Sequence, residues 1–340
     1  MVPKSGDRQL PENAATVAEN CKLYSGNLIP LRPPYTSSSP TKANPFLALF
    51  RARTGPSTAC WFTWPFDVDC VRVPLATDVE SRFVWTGDGA PKFAKYSTAI
   101  TSGTDNYPSN FFDLGIPNPQ AAPTLGVQGA GTNLSDRYYV TTFFSQDGEE
   151  SGPSPVSLIG AAANTWRVTF PTLELSMVNS GAGTATSTTF TNTAGALHWL
   201  RVGDEVAFGS APTTYRAVTA IVSPSAFSVT GASIVAETTW ARRTNLNTTG
   251  ITRRVYRTTS GTTASFQLVV ADLAITTAYY DDATSDVNIP GDDLISDGWE
   301  PPPTGIRGIC VHSSGALCGF VNNLICFSEP LQPHAWPVAY

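Results

Sequence analysis

Proline and glycine punctuate this chain from end to end, with 27 of each among 340 residues. Proline removes a backbone donor and breaks helices, and glycine weakens them. A bundle of long helices is therefore excluded. Charged side chains make up 14% of the sequence, against about 25% in an ordinary soluble domain. The 17 Phe, 11 Tyr and 8 Trp supply enough large apolar surface for a substantial core, so the chain reads as globular and mainly β. Its length predicts two to three domains. The formal net charge of −6 argues against a protein that grips nucleic acid through phosphate contacts, because such a surface repels DNA.

No run approaches the roughly 20 apolar residues of a membrane span, and MVPKSGDRQLPENAA lacks the apolar stretch of a secretory signal. A soluble chain made in a cytoplasm is expected. Six cysteines, Cys21, Cys60, Cys70, Cys310, Cys318 and Cys326, are too few for a disulfide framework and read as small, reduced, buried hydrophobes.

Residues 1–45 are rich in proline and irregular in their apolar spacing, which predicts an extended docking arm that drapes over another surface. From 46 to 120 a β-rich platform is expected. FLALFRAR and ACWFTW flank turn chemistry at Thr54–Ser57 and form a hairpin in the simplest reading, with a short helix over 45–52 as the alternative. Arg82–Trp85 leads into Thr86-Gly87-Asp88-Gly89, a second hairpin turn. The stretch 117–132 is poor in large apolar groups, and a linker is placed at 121–132. Period-two alternation at Trp166, Val168 and Phe170, and again at Phe266, Leu268 and Val270, marks half-buried strands. Segments 133–171 and 250–290 then make a split sandwich of immunoglobulin or fibronectin type III character. Residues 172–249, rich in Thr, Ser, Ala and Gly, form a small inserted β-domain with strands at 205–208, 215–222 and 227–230. Arg253, Arg254 and Arg257 are read as snorkelling at the sandwich edge. The runs GICVH, ALCGF and LICFSE within 300–340 predict a propeller-like β-meander.

Chemistry-bearing patterns are sparse. His198, His312 and His334 occupy no catalytic spacing, and there is neither a G-x-S-x-G elbow nor a phosphate-binding loop. Gly126, Gly129 and Gly131 lie in the proline-containing stretch with no helix pattern behind them. Cys310, Cys318 and Cys326 with His312 admit a zinc site, though side-by-side thiols of an even meander produce the same spacing. Asp281, Asp282, Asp286, Asp292, Asp293 and Asp297 admit calcium, or are simply turn residues. Asp67 with Asp69, or Asp204 with Glu205, beside Trp61 and Trp64, admit sugar hydrolysis, but neighbours on a strand face opposite ways. The reading adopted is a chain with no catalytic residue, no metal and no cofactor.

Several phrases carry a resemblance. They are Leu10-Pro11-Glu12-Asn13-Ala14-Ala15 with Asn20-Cys21 and Ser25-Gly26; Trp64-Pro65 with Asp67-Val68-Asp69; and Asp78, Arg82 and Trp85 through Pro91. Gly148 to Pro155, Val255 to Thr258, and Phe327 to Pro337 complete the set. Together they resemble the tail nozzle, or tail tubular, proteins of short-tailed bacteriophages. Members of that family are usually longer and build a propeller-like ring. The resemblance implies a non-enzymatic structural subunit of the virion tail, assembled in the host cytoplasm. It also implies a homo-oligomeric ring, sixfold in that family, bound to adaptor or head-to-tail connector proteins and neighbouring tail fibres. DNA would pass through its channel without sequence-specific contact. The expected subunit contacts are Leu10, Asn13, Leu28, Ile29 and Pro33 of the arm. The alternative is a receptor- or carbohydrate-binding virion appendage, motivated by tryptophans available to stack on sugars and by the inserted domain.

Overall fold

Large apolar side chains that alternate along the sequence become strands in the computed structural model, and among the described residues helix is confined to single turns. The structure describes the backbone of Cys21–Tyr24, Asn27–Pro30 and Gly160–Ala162, and otherwise residues 46–337 apart from 55–58, 76, 102–106, 129–134, 159, 163–164, 172–178, 194–195, 210–213, 260–264 and 290. It divides into residues 1–40 and 41–340. In the first unit β1 (Cys21–Tyr24) pairs antiparallel with β2 (Asn27–Pro30). Part of the expected arm is thus a hairpin. Its register sets Leu23 opposite Leu28 and Lys22 opposite Ile29, around Ser25-Gly26, a pair with turn chemistry. Leu10, Asn13 and Pro33 lie outside the described residues.

The second unit opens with β3 (Ala48–Arg53) and β4 (Ala59–Trp64), a hairpin registered from Ala48↔Trp64 to Arg53↔Ala59. The hairpin reading of 46–64 holds and the helical alternative does not. β5 (Asp69–Arg72), β6 (Arg82–Thr86), β7 (Lys92–Lys95) and β8 (Phe112–Asp113) form one antiparallel sheet, with the single-turn α1 (Tyr96–Ala99) after β7. Between β6 and β7, Gly87 takes a φ of 104°, and a Cβ there would lie 2.1 Å from the Asp67 carbonyl oxygen, so only glycine fits the turn. The sheet is buried on both faces. Phe83, Trp85 and Ala94 face the β3–β4 hairpin, where Phe62 meets Phe83 at 5.4 Å and Trp64 meets Trp85 at 5.7 Å between ring centroids. Val84 and Phe93 face the other way into a second core, as the pleat requires.

Next come β9 (Thr124–Gln128), β10 (Ser135–Arg137), β11 (Tyr139–Phe144), β12 (Gly160–Ala162) and β13 (Thr165–Thr169). β14 (Ser180–Thr186), β15 (Thr189–Asn192), β16 (Glu205–Phe208), β17 (Arg216–Ser223), β18 (Ala226–Val229) and β19 (Thr239–Arg242) follow. The chain then adds β20 (Thr252–Arg257), β21 (Gln267–Ala274) and β22 (Tyr279–Asp282). Sheets β22-β13-β9 and β11-β20-β21 share one core of Tyr139, Trp166, Val168, Phe170 and Val255. β9 corrects the linker reading. Thr124–Gln128 carries only Leu125 and Val127 as large apolar groups, too few to signal a strand, yet Leu125 reaches the shared core while the backbone pairs with β13. The arginines of β20 are corrected as well. β20 is the central strand of its sheet, so Arg253 and Arg257 are fully buried rather than at an edge.

β14 to β19 close into a barrel in the order β14-β15-β18-β17-β16-β19. Its interior holds Phe190, Val206, Val218, Phe227 and Trp240. Backbones cross closely at Gly183, where a Cβ would lie 2.0 Å from the Thr191 carbonyl oxygen. Gly181 and Gly183 of β14 are therefore fixed by tight packing.

β23 (Arg307–Val311), β24 (Leu317–Val321) and β25 (Leu324–Phe327) form the expected meander. Ile309 and Leu317 join Val84, Phe93, Leu114 and Trp336 in the second core. The cysteines depart from expectation: Cys310 is exposed and Cys60, Cys70, Cys318 and Cys326 are half-buried, because strand alternation turns Cys310 away from the core face occupied by Ile309. Among the described residues no helix is long and apolar enough to cross a membrane.

Candidate functional site

The segments GEESGPSP and EPLQPHAWP are far apart in sequence and meet in one buried junction. Ser151, Ser154 and Ser157 recur every third residue along the edge of β11, the period of an extended proline-containing chain. Their hydroxyls accept the N–H groups of Phe143, Thr141 and Tyr139 at 2.9, 3.0 and 2.9 Å, and their own N–H groups donate back to the same three carbonyls. A strand edge that would otherwise be open is capped without a further strand. Gly152 is pinned beside it, since its N–H donates to Asn118 Oδ1 at 2.8 Å while Asn118 Nδ2 donates to the Trp299 carbonyl at 3.0 Å. A Cβ on Gly152 would lie 2.2 Å from that carbonyl oxygen. Gly152→Ala is expected to lower the unfolding free energy by about 1–3 kcal/mol, read from urea titration. An unchanged midpoint would mean that the Trp299 loop yields freely.

His334 closes the junction from the C-terminal side. Its Nε2 accepts the Glu150 N–H at 3.1 Å and its ring stands edge-on to Trp299 at 5.7 Å, so Nδ1 carries the proton. The Glu150 carboxylate accepts from the Thr142 and Tyr256 hydroxyls, each at 2.7 Å, and from Arg254 Nη1 at 2.8 Å. Beside it Arg82 is clamped by Asp78 at 3.1 Å and donates to the Asp147 carbonyl at 2.8 Å, while Lys95 pairs with the Asp147 carboxylate at 2.5 Å. Trp336, two residues beyond His334, fills the core between the four-stranded sheet and the meander.

Burial dominates the electrostatics here. It pushes Glu149 from an ordinary 4.5 up to about 8, with the Asp147 charge adding to the effect, and drives His334 from 6.5 down to about 3, with Arg82 adding. A raised carboxyl pKa contributes stability that is complete below 4.5 and is lost as pH rises through about 8. A lowered histidine pKa contributes stability that is complete above 6.5 and is lost as pH falls toward about 3. Asp113, which burial raises to about 6, acts in the same direction as Glu149 but over a lower range. Of these three groups only Glu149 still titrates much above 6.5. Glu149→Gln is therefore expected to flatten the fall in stability from 6.5 to 8, a slope on the order of 1 kcal/mol per pH unit. Urea unfolding across that window reads it directly. A wild-type-like slope in the variant would mean that another group titrates there.

A second buried polar joint ties β8 to the barrel. Arg242 of β19 donates to Asp113 at 2.8 Å and to the Trp199 carbonyl, and lies 3.5 Å from Asp204. Between the sandwich and the loop 291–295 runs a cavity of about 420 Å³ lined by Glu150, Arg254, Tyr256, Leu268, Asp292 and Asp293.

The residues singled out for chemistry are placed apart. Cys310 faces Cys318, but Cys326 is registered with Gly319, and no group of three or more metal-ligating side chains occurs among the described residues. Asp281 pairs with Arg167 at the surface, whereas the buried Asp282 and the half-buried Asp286 pair with Arg257, so Asp282 is not a solvated turn residue. Asp69 accepts the Gly308 N–H at 3.0 Å, and Glu205 pairs with Arg243 at 2.5 Å. His198 is buried, its Nδ1 accepting the Leu200 N–H at 2.9 Å. Gly126 lies within β9. Seven of the eight tryptophans are buried and Trp61 is half-buried, which removes the exposed indoles that motivated a sugar-binding surface. Sequence reasoning missed the serine ladder, whose signal was the three-residue spacing of Ser151, Ser154 and Ser157. No protein-family model matches the chain, and no curated protein matches it.

Proposed function

We propose that this chain is a structural, non-enzymatic subunit of a short-tailed bacteriophage tail, a nozzle-type ring held on the portal and adaptor around the DNA exit channel. The observation that carries the reading is the convergence described above. Asp78 and Arg82, Gly148 to Pro155, and the run ending in Trp336-Pro337 are the phrases of the resemblance, and they meet in a junction held by hydrogen bonds and ion pairs among them and their neighbours. Residues that hold layers of a β assembly in place suit a load-bearing subunit. The low charge density and exposed Leu47, Leu49 and Leu158, the last 88% exposed, leave apolar surface for neighbouring copies. The net charge of −6 suits a channel along which DNA slides. On this reading Leu28 and Ile29 of β2 contact a neighbour or the adaptor.

Electron cryomicroscopy of the virion tail tests the proposal, together with native mass spectrometry of the purified chain alone and with adaptor rings. A closed ring on the tail axis is expected. A chain that stays monomeric at high concentration and never joins adaptor rings would overturn it, and a peripheral appendage would favour receptor binding.

A further inference from the structure

The outer face of the meander carries a pair of thiols. β23 and β24 are antiparallel with Cys310 directly opposite Cys318, and the two Sγ atoms are 3.0 Å apart. Alternation sends Ile309 and Leu317 into the core and leaves Cys310 on the solvent side with Cys318, Phe320 and Ile325, the last two 50% and 66% exposed. Directly opposed residues of an antiparallel ladder have Cα atoms about 4.5–5.5 Å apart, inside the window of about 4.4–6.8 Å that a disulfide spans. Both sulfurs can therefore be joined without moving either strand. Cys326 is registered with Gly319 and so is not the partner of either thiol.

We propose that Cys310 and Cys318 are a dithiol modification site, oxidised by small-molecule disulfides to a reversible cross-strand disulfide on the open face of the meander. The Cys310 thiolate attacks one sulfur of an external disulfide, whose S–S bond breaks and releases one thiol, leaving a mixed disulfide on Cys310. The Cys318 sulfur then gives up its proton and attacks Cys310 Sγ, expelling the second external thiol as the Cys310–Cys318 bond forms. Two protein thiols lose two protons and two electrons, and one external disulfide gains them and becomes two thiols. The order follows from accessibility: Cys310 is exposed, whereas Cys318 is half-buried and its thiol is pushed up to about 11 by burial and by the neighbouring Cys310. The bond would fasten β23 to β24 across the turn Ser313-Ser314-Gly315.

The test treats the full chain with glutathione disulfide, alkylates the remaining thiols, and maps the modified peptides by mass spectrometry. The expected result is loss of two of the six thiols, a link between the Cys310 and Cys318 peptides within one chain, no retained glutathione, and full reversal by dithiothreitol. In Cys318→Ser, Cys310 is expected to keep glutathione as a stable adduct, with near-ultraviolet circular dichroism reporting that the fold is intact. An unchanged thiol count, stable glutathione on Cys310 of the wild-type chain, or linkage to another cysteine or another chain would each overturn the proposal.

Discussion

Replacing Trp336 with alanine is expected to lower the unfolding free energy by about 3–5 kcal/mol, the range for deleting a large buried aromatic side chain. Trp336 is 3% exposed and touches a core built from two separate layers, Val84 and Phe93 of the four-stranded sheet and Ile309 and Leu317 of the meander. Its backbone N–H donates to the Glu300 carbonyl at 2.8 Å and its indole N–H to the Pro333 carbonyl at 3.0 Å. The indole therefore needs no outside partner, and its whole apolar area serves the seam. Urea unfolding gives the loss, and amide exchange locates it. Protection should fall first in β23 to β25, because the alanine leaves a cavity between the meander and the sheet. A loss below about 1 kcal/mol would mean that the two layers collapse onto the gap.

Arg257→Met is expected to cost about 3–5 kcal/mol as well, by a different route. Arg257 is fully buried on the central strand of its sheet, 2.9 Å from Asp282 and 2.6 Å from Asp286, and it donates to the Thr284 carbonyl at 2.7 Å. Asp282 is equally buried and also accepts the Tyr139 hydroxyl at 2.7 Å. Methionine fills the volume, but Asp282 is left with Arg137 at 3.8 Å as its nearest cation. A buried carboxylate without its partner is what costs, so the double variant Arg257→Met with Asp282→Asn should lose clearly less than the two single losses added together. Additive losses would show that the pair is not coupled.

Strand existence was legible wherever large apolar residues alternate with polar ones. Trp166 and Val168 became a strand because one-sided burial requires period two, and the ACWFTW run and the three runs of the meander were legible as short apolar runs bounded by turn residues. Glu205–Phe208 and its neighbours were legible for the same reason. Thr124–Gln128 was not, since a strand that offers one side chain to a core leaves almost no hydrophobic signal. The arginines of β20 misled because charge on a strand reads as edge, whereas what buries them lies elsewhere in the chain: Asp282 and Asp286, about 25–30 residues further along, pair with Arg257, and the rings of Phe143 and Phe170 cover Arg253. The junction was half legible. Its segments stood out as phrases, but their meeting depends on contacts such as Glu150 with His334, 184 residues apart.

The sequence by itself determined that the protein is mainly β, because proline and glycine interrupt every helical stretch and the apolar residues repeat at two. It also determined where tight turns fall, since positive φ at positions such as Gly87 is a local property of glycine. Only the tertiary structure decided which strands share a sheet, that six of them close a barrel, and which charges are buried in pairs. Those choices rest on packing and desolvation between residues distant in the chain, energies that no local window of sequence contains.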